Sequence, residues 1–244
     1  MDRPLRIGVL ALQGAFREHA TALRELGADV TEVRLPDELD GLDGLVIPGG
    51  ESTAILRLAG LYGLDEAIRA FRGPILGTCA GMILLDRDHL GVADLRVERN
   101  AYGRQVRSFE ADVELSEDPV PLRGVFIRAP RIRSLGDEVE VLGELAGEPV
   151  LVRDGRLLLA SFHPELTDDR RVHERFLELV REEQHSRPPG ALLAKEASAR
   201  RAGRDRDGQA PSAKHPVASS VSLGRSPALS GENARRPGGR DVRP

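Results

Sequence analysis

Four short apolar runs alternate with amphipathic stretches through the first 85 residues, and few architectures accommodate that order. Residues 5–11 (LRIGVLA), 29–33, 45–47 and 74–76 read as strands. Over 16–26, Phe16, Ala20, Leu23 and Leu26 share one side of a helix, with Arg17, Glu18 and Glu25 elsewhere and Gly27 placed to stop it. Further helical stretches span 52–58 and 64–71, and another opens over 81–85. Strands that are apolar throughout must be covered on both faces, as a parallel sheet between helix layers is. Beyond residue 92, strand-like segments follow one another (95–97, 106–109, 113–115, 125–127, 139–142, 150–152 and 157–161) with little helix between them. Antiparallel additions to the sheet account for these, and a helix returns over 171–181. The expected fold is α/β: a three-layer sandwich with a flavodoxin-like, mostly parallel sheet.

Composition sets the limits of the folded unit. Residues 188–244 hold 7 Pro, 7 Gly, 7 Ser and 11 Lys+Arg against 5 Asp+Glu, with no aromatic residue. So little apolar bulk cannot offset the entropy of ordering the chain, so these residues read as a disordered basic tail on a domain spanning 1–187. The tail carries +6 of a formal net charge of -4, which leaves -10 for the rest. An acidic domain argues against nucleic acid as its partner. The single cysteine, Cys79, excludes an intramolecular disulfide framework and a cysteine-cluster zinc site. No segment reaches the length of a membrane span, and residues 7–12 are too short for a secretory signal, so a cytoplasmic protein is expected.

Cys79 lies in Gly77-Thr78-Cys79-Ala80-Gly81, after an expected strand and before an expected helix. This is the layout of a nucleophile elbow, in which a sharp turn holds the nucleophile in a strained conformation and side chains at 77 or 81 would crowd neighbouring chain. The helix N-terminus beyond it favours thiolate. A thiolate needs a proton-transfer partner. Of six histidines, His163 sits just beyond the strand at 157–161, where catalytic groups gather in open α/β sheets, and Glu165 is placed to orient its ring. His19 and His173, in helical stretches beside charged residues, read as solvated or structural, as do His89, His185 and His215. Pro48-Gly49-Gly50-Glu51-Ser52-Thr53 also follows a strand. Its glycines let backbone N–H groups turn toward a ligand, as an oxyanion hole requires; the plainer alternative is a turn capped by Ser52 or Thr53. The absence of a following G-K-[ST] argues against a phosphate loop.

P-G-G-E-S-T, G-T-C-A-G and S-F-H-P-E-L, in that order, resemble the triad-type (class I) glutamine amidotransferases. V-E-R-N at 97–100, G-R-Q-V at 103–106, G-V-F-I-R-A-P at 124–130 and I-G-V-L-A-L-Q-G at 7–14 narrow the likeness to the glutaminase subunits of two-component pyridoxal 5′-phosphate synthases. The resemblance covers residues 5–185 and leaves the tail outside the family pattern. It implies hydrolysis of L-glutamine to glutamate and ammonia, with the ammonia delivered to a synthase subunit in a hetero-oligomer. It implies Cys79, His163 and Glu165 as the catalytic residues, and the amides of Gly50 and Ala80 as the oxyanion hole. Gly50, Glu51, Ser52, Arg99, Ile127 and Arg128 would contact glutamine, and Gln13 with the Gly49-Gly50 backbone is where the partner would complete the oxyanion hole. No cofactor, metal, nucleic acid or membrane is implied. The competing readings are a glutaminase subunit of another biosynthetic amidotransferase, a cysteine peptidase of similar fold, and a non-catalytic scaffold; the retained cysteine and histidine argue against the last.

Overall fold

The structure, a computed structural model, describes residues 3–99 and 108–186. The expected tail at 188–244, and the motif residues Asn100 and 103–106, lie outside the described residues.

The chain opens with β1 (Arg6–Leu10), α1 (Phe16–Glu25), β2 (Asp29–Val33) and β3 (Gly44–Ile47). Two helices follow, α2 (Ser52–Tyr62) and α3 (Leu64–Ala70), then β4 (Ile75–Thr78) and the short α4 (Ala80–Leu85). The second half runs β5 (Leu95–Glu98), β6 (Ser108–Leu115), β7 (Leu122–Ile127), β8 (Arg131–Leu135), β9 (Glu140–Leu145), β10 (Glu148–Asp154), β11 (Leu157–Ala160) and α5 (Arg171–Ser186).

Nine of these strands form one sheet in the order β2-β1-β3-β4-β11-β10-β9-β6-β7. Pairing is parallel from β2 to β11 and antiparallel from β11 to β7. The expected mostly apolar parallel core with antiparallel additions is what forms. One segment departs from it: β5 joins no part of the large sheet but pairs with β8 in a separate two-stranded ribbon. Strand β8 (RIRSL) is absent from the expected segments, because three of its five residues are polar and only Ile132 is buried.

Alternation along the central strands sorts the core into two layers. Ile7, Val9, Val46, Leu76, Leu158 and Ala160 face Ala20 and Leu23 of α1 and Phe176, Leu177 and Val180 of α5. Leu10, Leu45, Ile47, Ile75, Leu157 and Leu159 face the opposite way, toward Ile55 and Ala59 of α2, Leu64 and Ile68 of α3 and Met82 and Leu84 of α4. This period of two, buried on both sides, produces the continuous apolar runs in the sequence. Glycine is required where layers touch: a Cβ on Gly81 would collide with the Ile47 carbonyl oxygen, so α4 approaches β3 only because position 81 lacks one.

Candidate active site

The site assembles where the parallel half of the sheet meets the antiparallel half. β4 and β11 are parallel neighbours with Thr78 opposite Ala160, and the Cys79 amide donates to the Ala160 carbonyl at 2.8 Å. Residues just past the ends of these strands, Cys79 and His163, are thereby brought side by side although 84 positions apart in sequence. Cys79 has φ 47 and ψ -103, a conformation L-residues seldom adopt, held by the strand behind and the helix ahead. The residue is only 5% exposed, and its thiol faces the Ile127 carbonyl oxygen at 3.7 Å.

On one side His163 neighbours the Cys79 side chain, the imidazole Cε1 and the Cys79 Cβ both lying against Gly49. On the other its Nδ1 lies 2.7 Å from Glu165 Oε1. The His163 amide donates to the Val125 carbonyl at 2.8 Å, which anchors the turn after β11 to β7. All three side chains are buried. Burial alone would push the imidazole down, but its interactions with the Cys79 thiol and the Glu165 carboxylate outweigh it and push it up to about 10. Burial would likewise raise Glu165, yet the neighbouring His19 ring and the hydrogen bond from His163 hold it well below the usual carboxylate range. The arrangement is a buried sulfur–imidazole–carboxylate series, able to move a proton onto and off the imidazole at a nucleophilic sulfur.

Gly49 lies against this series: a Cβ there would collide with His163 Cε1 and stand 3.2 Å from Cys79 Cβ. The Gly49 amide donates to Thr78 Oγ1 at 3.0 Å, and its carbonyl accepts from the Ala15 amide at 3.1 Å. Gln13 Oε1 accepts the Glu51 amide at 2.6 Å. Among the described residues, neither the Gly50 nor the Ala80 amide donates to a protein acceptor. The cap of α2 is Glu51, whose carboxylate accepts the Ala54 amide at 3.0 Å, rather than Ser52 or Thr53. Those two hydroxyls instead accept from Arg99 Nη1 at 3.3 and 3.2 Å. His89, expected in a loop, pairs with buried Asp86 at 2.6 Å and meets Arg99 Nη2 at 3.3 Å. Arg128 is exposed beside Ile127, with φ 44.

Two residues read as solvated or structural are neither exposed nor remote. His19 and His173 are both fully buried. His19 Nε2 lies 3.0 Å from Thr78 Oγ1 and 3.2 Å from Glu165 Oε2, and its Nδ1 lies 2.9 Å from His173 Nε2. Their charged sequence neighbours mislead; helical spacing is the better signal. His19 lies three after Phe16 and four before Leu23, and His173 three before Phe176 and four before Leu177, so both fall on apolar faces.

Comparison with known proteins follows the same lines. Residues 9–182 match the SNO glutamine amidotransferase family. The chain is 55% identical over 186 residues to a pyridoxal 5′-phosphate synthase subunit PdxT of Thermus thermophilus, covering 71% of this chain and 97% of that protein. It is 50% identical over 189 residues to the PdxT of Thermosipho africanus, covering 72% of this chain and all of the relative. Among solved structures, one described as a glutamine amidotransferase superposes with a TM-score of 0.67 at 51% identity, covering 71% of this chain and 98% of that one. A putative GMP synthase protein from Thermoplasma acidophilum, at 23% identity, shares the fold with a TM-score of 0.62 over 76% of this chain and 98% of its own. Among the described residues no helix is long and apolar enough to cross a membrane.

Proposed function

The chain belongs to the SNO glutamine amidotransferase family, and from that membership we propose that it is the glutamine-hydrolysing subunit of a pyridoxal 5′-phosphate synthase, with Cys79, His163 and Glu165 as its catalytic residues. The observation that carries the assignment of these residues is the buried contact of Glu165, His163 and Cys79 at the junction of β4 and β11. In this reading the Cys79 sulfur attacks the side-chain amide carbon of glutamine, and the amides of Gly50 and Ala80 stabilise the oxyanion. His163 takes the thiol proton and gives it to departing ammonia. It then deprotonates the water that releases glutamate from the thioester, while Glu165 keeps the ring oriented.

Gly50, Glu51, Ser52, Arg99, Ile127 and Arg128 are assigned to glutamine. Arg99, docked on the first turn of α2, and Arg128 are the cations suited to its α-carboxylate. Ammonia passes to the synthase subunit, which docks near Gln13 and the Gly49-Gly50 backbone and completes the oxyanion hole. A lone catalytic thiol suits the reducing cytoplasm. The chemistry is confined to residues 1–187.

Glutamate release, measured with and without the synthase subunit for wild type and Cys79→Ala, tests this. Release should rise on adding the partner and fall at least about 10³-fold in the variant. Activity surviving the substitution would remove Cys79 from the chemistry, and full activity of the isolated chain would refute partner dependence.

A further inference from the structure

The buried groups left over by that mechanism are His19, His173 and Thr78, all fully buried and in contact with it. We propose that His19 is a positioning residue of the site, its Nε2–H held by the hydroxyl of Thr78 and facing the far oxygen of Glu165 at 3.2 Å, with His173 fixing its tautomer from behind. The inference rests on the reading of Cys79, His163 and Glu165 as the catalytic set.

The hydrogens follow from what each atom faces. Glu165 Oε1 is engaged by His163, and Oε2 has His19 Nε2 at 3.2 Å. A bare nitrogen lone pair against a carboxylate oxygen is repulsive in a low-dielectric interior, so Nε2 carries the hydrogen. Thr78 Oγ1, at 3.0 Å, accepts that N–H, and Glu165 Oε2 faces it without forming a hydrogen bond of its own. His19 Nδ1 then meets His173 Nε2 at 2.9 Å, and one of the two must donate. His173 Nδ1 is buried with no partner among the described residues. Were His173 the acceptor, a neutral ring would place its own hydrogen on that orphan nitrogen. A buried unpaired N–H is costlier than an unpaired lone pair, so His173 donates through Nε2 and leaves Nδ1 bare. Burial, with His19 beside it, pushes His173 down to about 3 and keeps it neutral.

Thr78 extends the effect. It accepts the Gly49 amide at 3.0 Å, so one histidine on α1 reaches both the carboxylate that aims His163 and the peptide that lies against His163. None of these atoms is among the groups assigned to glutamine, so the consequence of losing His19 falls on turnover rather than on binding.

Two substitutions separate the two sides of the ring. In His19→Gln the amide nitrogen reaches the place of Nε2, whereas in His19→Asn it reaches only that of Nδ1; both keep a buried amide and strain the fold alike. With the synthase subunit present, His19→Asn should lower kcat about 10- to 100-fold, the rate equivalent of leaving one buried polar group unpaired, with KM within about twofold of wild type. His19→Gln should recover kcat to within about fivefold of wild type. Equal loss in both variants, no loss in the Asn variant, or a deficit confined to KM would overturn the proposal. Should neither variant fold, ring-nitrogen correlation spectra of the wild-type histidines at pH 7 decide it: a hydrogen on Nε2 of His19 with Nδ1 bare supports it, and a hydrogen on Nδ1 refutes it. That spectrum needs no glutamine, so it stands even if wild type released no glutamate and the functional reading itself failed.

Discussion

Glu165 touches no reacting atom in the proposed mechanism, yet its replacement by an isosteric amide should be severe. Glu165→Gln presents an amide group to His163 Nδ1, favours the wrong tautomer and removes the charge that supports the imidazolium. We expect kcat to fall about 10²- to 10⁴-fold with KM little changed, as steady-state glutamate release would show. Gly49→Ala should inactivate for a different reason, because the added methyl collides with His163 Cε1; activity within a fewfold of wild type would mean the loop can withdraw. Residues of this kind were legible in the sequence when their neighbours announced them. The glycines around Cys79 and the Pro-Glu after His163 have few uses outside a strained turn. For His19 local spacing announces burial and nothing more, since its meaning comes from Thr78 and Glu165, which lie 59 and 146 positions away. The Glu51 cap was missed because a carboxylate and two hydroxyls compete for that role, and the hydroxyls turn out to be engaged by Arg99.

Helices α1 and α5 meet through a histidine pair, rings 5.1 Å apart, on the sheet face opposite α2, α3 and α4. Burial of His173 there, with His19 beside it, makes stability depend on pH. His173 is depressed from 6.5 to about 3 in the folded chain. Between those values the unfolded chain binds the extra proton, so unfolding free energy falls as pH falls, by up to about 1.4 kcal/mol per pH unit for one group. His163 acts in the opposite direction: raised from 6.5 to about 10, it contributes fully below 6.5 and its contribution is lost as pH rises toward 10. Urea titrations from pH 4 to 10 should show both slopes, with His173→Leu flattening the acid arm and His163→Gln the alkaline arm. At the other helix layer, Gly81→Ala should cost about 1–3 kcal/mol by forcing α4 off the Ile47 carbonyl. Element type and order were readable because the unbroken apolar runs of β1, β3 and β4 and the three-to-four spacing of the helix faces are different signals. Strand β8 was not, because three of its five residues are polar and only Ile132 is buried, which leaves no apolar signature.

For the whole molecule, the division of the chain that we propose rests on composition. A shortage of apolar side chains beyond 187 sets the proposed boundary, and the basic segment after it has no place in the proposed chemistry. Deleting 188–244 should leave both the thermal midpoint and partner-stimulated glutamate release unchanged; a loss of stimulation would give the segment a docking role. The nine-stranded order, by contrast, could not be read from sequence, since strand neighbours are chosen by long-range packing: β4 lies beside β11 although β5 to β10 come between them along the chain. That adjacency bears on how the molecule is made and destroyed. A nascent chain still emerging from the ribosome, or one clipped by a protease ahead of β11, carries its sulfur without an imidazole to serve it. In the proposed chemistry only a chain complete through His163 and Glu165 is competent, so shorter copies waste no nitrogen.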